Sequence, residues 1–257
     1  MKDYSKIILI SGIFLIIAAF FVSNVPISSD TSIISVIFII CLALPCFYAA
    51  IIWLGWKNGI ILLGILSAYA LIIETFAIIT GFPYSEFQYN DLIGFKLFGY
   101  TPFTVPFAWL PLFLGSLYVA SNLKIKDKKL ETWQILIVST ILVLLTDIVL
   151  DPAAVALKFW IWEDYGAFYG VPLMNFTGWV LSGFLASLIS ILILKLMKIR
   201  ITDSKPPALV SSLFLIMAFW TAVNLYLQLI IPALVGMAMI IFILYVSKKR
   251  VGCFTSI

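Results

Sequence analysis

Three carboxyl side chains stand inside runs of apolar residues, where an acid is costly and therefore informative. Glu74 lies in Ala70–Leu71–Ile72–Ile73–Glu74–Thr75–Phe76–Ala77, six residues short of Thr80. Asp147 and Asp151 lie in Leu144–Leu145–Thr146–Asp147–Ile148–Val149–Leu150–Asp151–Pro152. A helix through the second run puts both aspartates on one face, with Cβ atoms roughly 6 Å apart. Two carboxyls that close, in poorly hydrated surroundings, tend to hold a proton, because burial and like charge both disfavour the second anion. Such a group can give, take or relay a proton. The plainer uses are structural: Asp147 bonding a neighbouring helix, Asp151 closing a helix before Pro152. A carboxyl deep in a membrane costs about 2.5–3.5 kcal/mol or more unless it is paired, hydrated or protonated, so an acid in such a run is a functional candidate.

The rest of the inventory narrows the chemistry. Histidine is absent, so imidazole acid–base steps and histidine-ligated metals or haem are excluded. Cys41, Cys46 and Cys253 have neither metal spacing nor the pattern of a disulfide framework. Arg200 and Arg250 are the two arginines, too few and too separated to grip phosphate groups.

The elements that must hold these acids follow from composition. The chain has 257 residues, 63% apolar and 11% charged, with a mean hydropathy of +1.16. Ordinary globular chains are about 45–50% apolar and about 25% charged. One core cannot absorb the excess, so lipid is the solvent for much of the surface. Soluble enzymes, nucleic-acid binders and disordered chains are excluded. The expected fold is all-α, a single polytopic helix bundle over 1–257. Apolar runs of about 20 residues place spans near 7–23, 33–54, 59–80, 102–121, 133–151 and 173–195. The stretch Ala208–Val246 is too long for one span, and Gln228 and Pro232 divide it into 208–227 and 232–247. The first run is read as a retained helix rather than a cleaved leader.

Charge tests that count of eight. With both termini cytoplasmic, fourteen of the 16 lysines and arginines fall on the cytoplasmic side, leaving Lys96 and Lys158 outside. Seven spans would move Lys248, Lys249 and Arg250 outward, against the positive-inside bias. The chain is therefore expected to be a multi-pass protein of the cell membrane. Asp30, Glu74, Glu86, Asp91, Asp147, Asp151, Glu163 and Asp164 then collect towards the outer side. Polar outer loops from which lysine is excluded account for Asp30, Glu86, Glu163 and Asp164, but not for acids within apolar runs.

Two outer segments adjoin the acids. One is Thr80–Gly81–Phe82–Pro83–Tyr84–Ser85–Glu86–Phe87–Gln88–Tyr89–Asn90, continuing to Pro102, Pro106 and Trp109. The other runs from Asp151–Pro152 through Trp160–Ile161–Trp162 and Phe168–Tyr169–Gly170–Val171–Pro172 to Asn175–Phe176–Thr177–Gly178–Trp179. An interfacial aromatic belt explains many single rings. The segments are too long and too rich in Gly and Pro to be mere connectors, and are expected to be ordered loops lining a cavity near the outer interface. Both carry G-x-P-x-x-x-F, a pattern too short to define a repeat.

Over about residues 60–195, these motifs resemble the integral-membrane carotenoid-biosynthesis proteins, a family that includes carotenoid hydratases. The most specific parts are D-x-x-x-D-P at Asp147–Pro152 and Y-G-V-P-x-x-N-F-x-G-W at Tyr169–Trp179; Ser85 stands where that family is expected to have glycine. The resemblance implies a cofactor-independent carbon–oxygen lyase. It would add water to a terminal isoprenoid double bond of a long carotenoid, as in converting bisanhydrobacterioruberin to bacterioruberin. Such an alkene is protonated first, and water then captures the tertiary cation. Asp147 or Glu74 would supply the proton and Asp151 would orient water. Tyr84, Tyr89, Trp109, Trp160, Trp162 and Tyr169 would wall the pocket, their faces stabilising a cation, while Asn175 would hold water or a carboxyl. The implied partners are membrane lipid, the carotenoid substrate and other carotenoid-biosynthesis enzymes, with no nucleic acid. Two other classes fit the residues: a proton-coupled secondary transporter and a non-catalytic carotenoid- or lipid-binding membrane protein.

Overall fold

The computed structural model describes residues 3–25 and 32–255; Lys2 and Asp30 lie outside them. Among the described residues, eight α-helices follow one another: α1 Ser5–Asn24, α2 Ser32–Leu54, α3 Trp56–Thr80, α4 Val105–Asn122, α5 Thr132–Ala156, α6 Leu173–Leu196, α7 Ser211–Tyr226 and α8 Ile230–Val246. Seven are long and apolar enough to cross a membrane, α7 together with the 3-10 turn Pro207–Val210 that precedes it. The helix α8, with 17 residues, is about 26 Å long. Helices are the expected outcome of such runs, because lipid offers backbone groups no alternative partners. The chain is an all-α polytopic membrane bundle.

Two helices form the centre. Almost every residue of α4 and α7 is buried, whereas α1 shows Ile13, Phe14, Ile17 and Phe21 outward. The helix α1 packs chiefly on α7, α2 on α3, α4 and α7, and α5 on α4 and α6. Polar side chains tie neighbours together where lipid-like surroundings leave few competitors. Asn224 donates to the Val149 carbonyl at 2.7 Å, Tyr69 to the Ser182 carbonyl at 3.0 Å, and the Cys46 N–H to Ser212 Oγ at 3.0 Å.

Both ends of the bundle are ordered differently. At one end the start of the chain meets its finish: the Tyr4 N–H donates to the Gly252 carbonyl at 3.0 Å, and the Gly252 N–H to Ser5 Oγ at 3.0 Å. The two described termini thus share a face, as an even number of crossings requires. Lys129 Nζ donates to the Thr202 carbonyl at 2.7 Å on that same face, and Lys205 sits over Trp53 at 5.9 Å. The opposite face carries Lys96 and Lys158 and the two long segments. Those segments are ordered, as expected, and they pair: β1 Phe87–Tyr89 runs antiparallel to β6 Trp160–Trp162. Four short strands complete two small hairpins, β2 Lys96–Leu97 with β3 Thr101–Pro102, and β4 Lys124–Ile125 with β5 Lys128–Lys129.

Two boundaries differ from the sequence expectation. The helix α5 does not end at Asp151 but continues through Pro152 to Ala156. Proline here removes one late intrahelical bond, so Asp151 lies within the helix and faces the same side as Asp147. The final turn falls at Leu227–Leu229, with Gln228 at φ 59°. Pro232 sits inside the first turn of α8, where a missing N–H leaves nothing unsatisfied.

Candidate functional site

The sequence brings three acids and one amide to one place from three helices. Glu74 is on the inward face of α3, two residues from Ile72, which looks outward. Asp147 and Asp151 are one turn apart on α5. Asn175 is in the first turn of α6, immediately after the Gly166–Val171 turn that delivers the chain to Pro172. All four side chains are 2% exposed.

Their partners are specific. The Asn175 amide nitrogen donates to Asp151 Oδ2 at 2.6 Å and to Asp147 Oδ2 at 3.0 Å, so one group fixes both aspartates. The Tyr89 hydroxyl donates to Glu74 Oε1. Glu74 Oε2 is buried and has no hydrogen-bond partner among the described residues. A buried carboxyl oxygen without a partner is rare in finished cores, and calls for a ligand, a water or a proton. Glu74 is near enough for its charge to act on both aspartates.

These groups line a cavity of about 580 Å³, within the usual range for small-molecule pockets of about 300–1,000 Å³. Tyr84, Tyr89, Trp109, Trp160, Trp162 and Asn175 also line it, as expected. The paired strands explain two of the tryptophans. Side chains alternate along a strand, so Phe87, Tyr89, Trp160 and Trp162 face inward while Gln88 and Ile161 face out. Phe87 and Trp162 lie 5.0 Å apart and Tyr89 and Trp160 5.8 Å apart between ring centroids. Tyr84 reaches Ser182 Oγ with its hydroxyl at 2.5 Å. Its ring lies against Trp109 and Trp179, at 6.2 Å and 6.1 Å. Gly178 permits that approach: a Cβ there would stand 2.4 Å from Tyr84 Cδ1 and 2.6 Å from the Pro83 carbonyl oxygen.

Tyr169 is placed elsewhere. It has φ 52° in the tight Gly166–Gly170 turn, its ring meets Phe168 edge-on at 5.0 Å, and its hydroxyl lies 3.5 Å from the Ile231 N–H at the start of α8. It pins the outer loop to α8 and is not among the cavity-lining residues. The cavity has walls that the sequence reading did not single out: Phe87 and Trp179, which lie in the two segments expected to line a cavity, Phe159 just before Trp160, and, outside those segments, Phe219 and Trp220 on α7 and a face each of α1 and α2. A signal for Trp179 was present, since Asn175, Gly178, Trp179 and Ser182 follow i, i+3, i+4, i+7 spacing and share a helix face.

Taken together, the molecule is a multi-pass membrane protein whose helices enclose an apolar, aromatic chamber with a carboxyl cluster at one end. A family model described as carotenoid biosynthesis protein matches residues 31–243, and the chain belongs to that family. It therefore has a role in carotenoid biosynthesis. It is also 41% identical over 124 residues to the bisanhydrobacterioruberin hydratase of Haloarcula japonica, a match covering 48% of this chain and 42% of that protein. The match thus spans less than half the length of that relative. No solved structure matches the chain significantly.

Proposed function

We propose that this protein is a carotenoid hydratase that adds water to a terminal isoprenoid double bond of a long-chain carotenoid, leaving a tertiary alcohol. The observation that carries the reading is the meeting of Glu74, Asp147 and Asp151 in one aromatic-walled cavity, with Asn175 bridging the two aspartates. The named relative's activity is in accord with it.

The residues divide the reaction as follows. Asp147 or Glu74, held as the neutral acid, gives its proton to the less substituted alkene carbon. A tertiary cation forms on the other carbon, facing the rings of Tyr84, Trp109, Trp160 and Trp162. Aromatic faces stabilise a desolvated cation by about 2 kcal/mol or more. Water held by Asp151 and Asn175 attacks the cation through oxygen, and its surplus proton passes to the carboxylate. The proton count then closes within the carboxyl group cluster, so the cycle restores the starting state without an outside acid. Water exclusion by the apolar walls protects the cation from capture elsewhere.

The cation bias of the face bearing the termini supports placing that face in the cytoplasm, with the acids near the outer side of the cell membrane. The test is expression in a host that accumulates the unhydrated carotenoid, followed by mass analysis of its pigments. The expected result is the mono- or dihydrated product. Asp147→Asn should stop its formation while the protein remains folded and abundant. Normal conversion by that variant would overturn the assignment of Asp147. An unhydrated pool with wild-type protein would overturn the hydratase reading.

A further inference from the structure

The cavity does not stop at the acids. It continues between α1 and α2, where both helices contribute one face. Ala18, Phe21 and Val22 come from α1, and Ile34, Ser35 and Phe38 from α2. The two helices scarcely touch one another; each is packed instead on α7, whose Phe219 closes the back, with its ring 4.8 Å from Phe38. At the mouth, Phe21 is 57% and Ile34 65% exposed, on a surface that faces lipid. Polarity changes along this path. Its outer part is apolar apart from Ser35, and its inner end holds the three carboxyls, Asn175 and the tyrosines.

We propose that the gap between α1 and α2 is a lateral slot through which a linear polyene passes from the bilayer, leading with one end, until that end reaches the acids. This deepens the hydratase reading and rests on it only for what happens at the acids. A hydrocarbon rod dissolved in the membrane never needs to cross water on this route, so no apolar surface is hydrated on the way. The slot admits an extended chain, and the graded lining decides orientation: the tail remains among Phe, Val and Ile side chains while the end meets the carboxyls, Asn175 and the tyrosines. Ala18 and Ser35 are the small residues that keep the passage open.

The full-length protein in phosphatidylcholine nanodiscs, titrated with lycopene as the linear polyene probe, tests this. Binding is read as the visible circular dichroism that an achiral polyene gains inside a chiral cavity, a signal to which introduced tryptophans add nothing. Ala18→Trp and Ser35→Trp should each weaken binding at least tenfold, with Ala18→Leu and Ser35→Leu giving smaller losses if the larger ring disturbs folding. Phe14→Trp, on the outward face of α1 and 66% exposed, should bind as wild type does. Asp147→Asn should bind normally and fail to hydrate, which separates access from chemistry. Binding without hydration by the wild type would sink the hydratase reading and leave the slot standing. Unchanged binding in both Trp variants, or retention of phospholipid acyl chains alone with no polyene bound, would overturn the slot.

Discussion

A single amide nitrogen, that of Asn175, serves two carboxyls, and this makes it the most exposed point of the proposed chemistry to mutation. Asn175→Ala leaves Asp147 buried without its donor and Asp151 with the Trp160 indole alone. The expected outcome is a fall in hydration of about 10²-fold or more, with a loss of stability of about 1–3 kcal/mol for the unsatisfied groups, read as pigment conversion and as Tm in detergent. Tyr89→Phe keeps the ring beside Trp160 but removes the hydrogen bond to Glu74. It should lower turnover about tenfold or more and lower stability by about 1–3 kcal/mol, because the packing survives but the buried Glu74 carboxyl loses its donor. The acids were legible in the sequence because a carboxyl in an apolar run is expensive and so stands out. The rings of Trp179 and Trp220 were not, because a tryptophan in such a run reads equally well as lipid-facing, and only the spacing from Asn175 marks Trp179 as inward.

Helices and loops were legible to different degrees for physical reasons. Length and hydropathy gave the first six spans, since the bilayer fixes how many apolar residues a crossing needs, and the lysine distribution favoured two more over one in Ala208–Val246. The strand pair Phe87–Tyr89 with Trp160–Trp162 was hidden, because three residues are too few to show an alternation and the partner lies far along the chain. The end of α5 was misplaced for a related reason: Pro152 signals a stop locally, yet packing of α5 between α4, α6 and α7 carries the helix past it. Where α6 meets the first outer loop, contact is close enough to be tested. Gly178→Ala would press its Cβ to 2.4 Å from Tyr84 and 2.6 Å from backbone at Pro83, so the loop must shift. Lower Tm and loss of hydration are expected together. Activity equal to wild type would mean that Tyr84 does not need its present position.

At the scale of the whole molecule, the cationic face hides a buried amine. Lys205 is 4% exposed, and burial, reinforced by Lys129, pushes its pKa down from 10.5 to about 8, against the pull of Asp203. In the unfolded chain the amine stays charged to a higher pH, so between about 8 and 10.5 the unfolded state binds more protons and stability rises with pH. Tm should increase across that window and be flat below it. Lys205→Met should abolish the rise and be more stable at neutral pH, by up to about 3 kcal/mol at 1.36 kcal/mol per pH unit of displacement. The shared face of the termini predicts that tags before α1 and after α8 are labelled from the same side of a sealed membrane, and labelling from the cytoplasmic side is the outcome expected under the orientation proposed above. The clasp between Ser5 and Gly252 joins residues 247 apart, and the main surface on which α1 rests is α7. At ribosomal rates of about 5–20 residues per second, α1 waits on the order of 10–50 s in the bilayer before its docking partners emerge. Helix α1 therefore docks long after it is made, and until α7 has emerged the chamber stands open on that side.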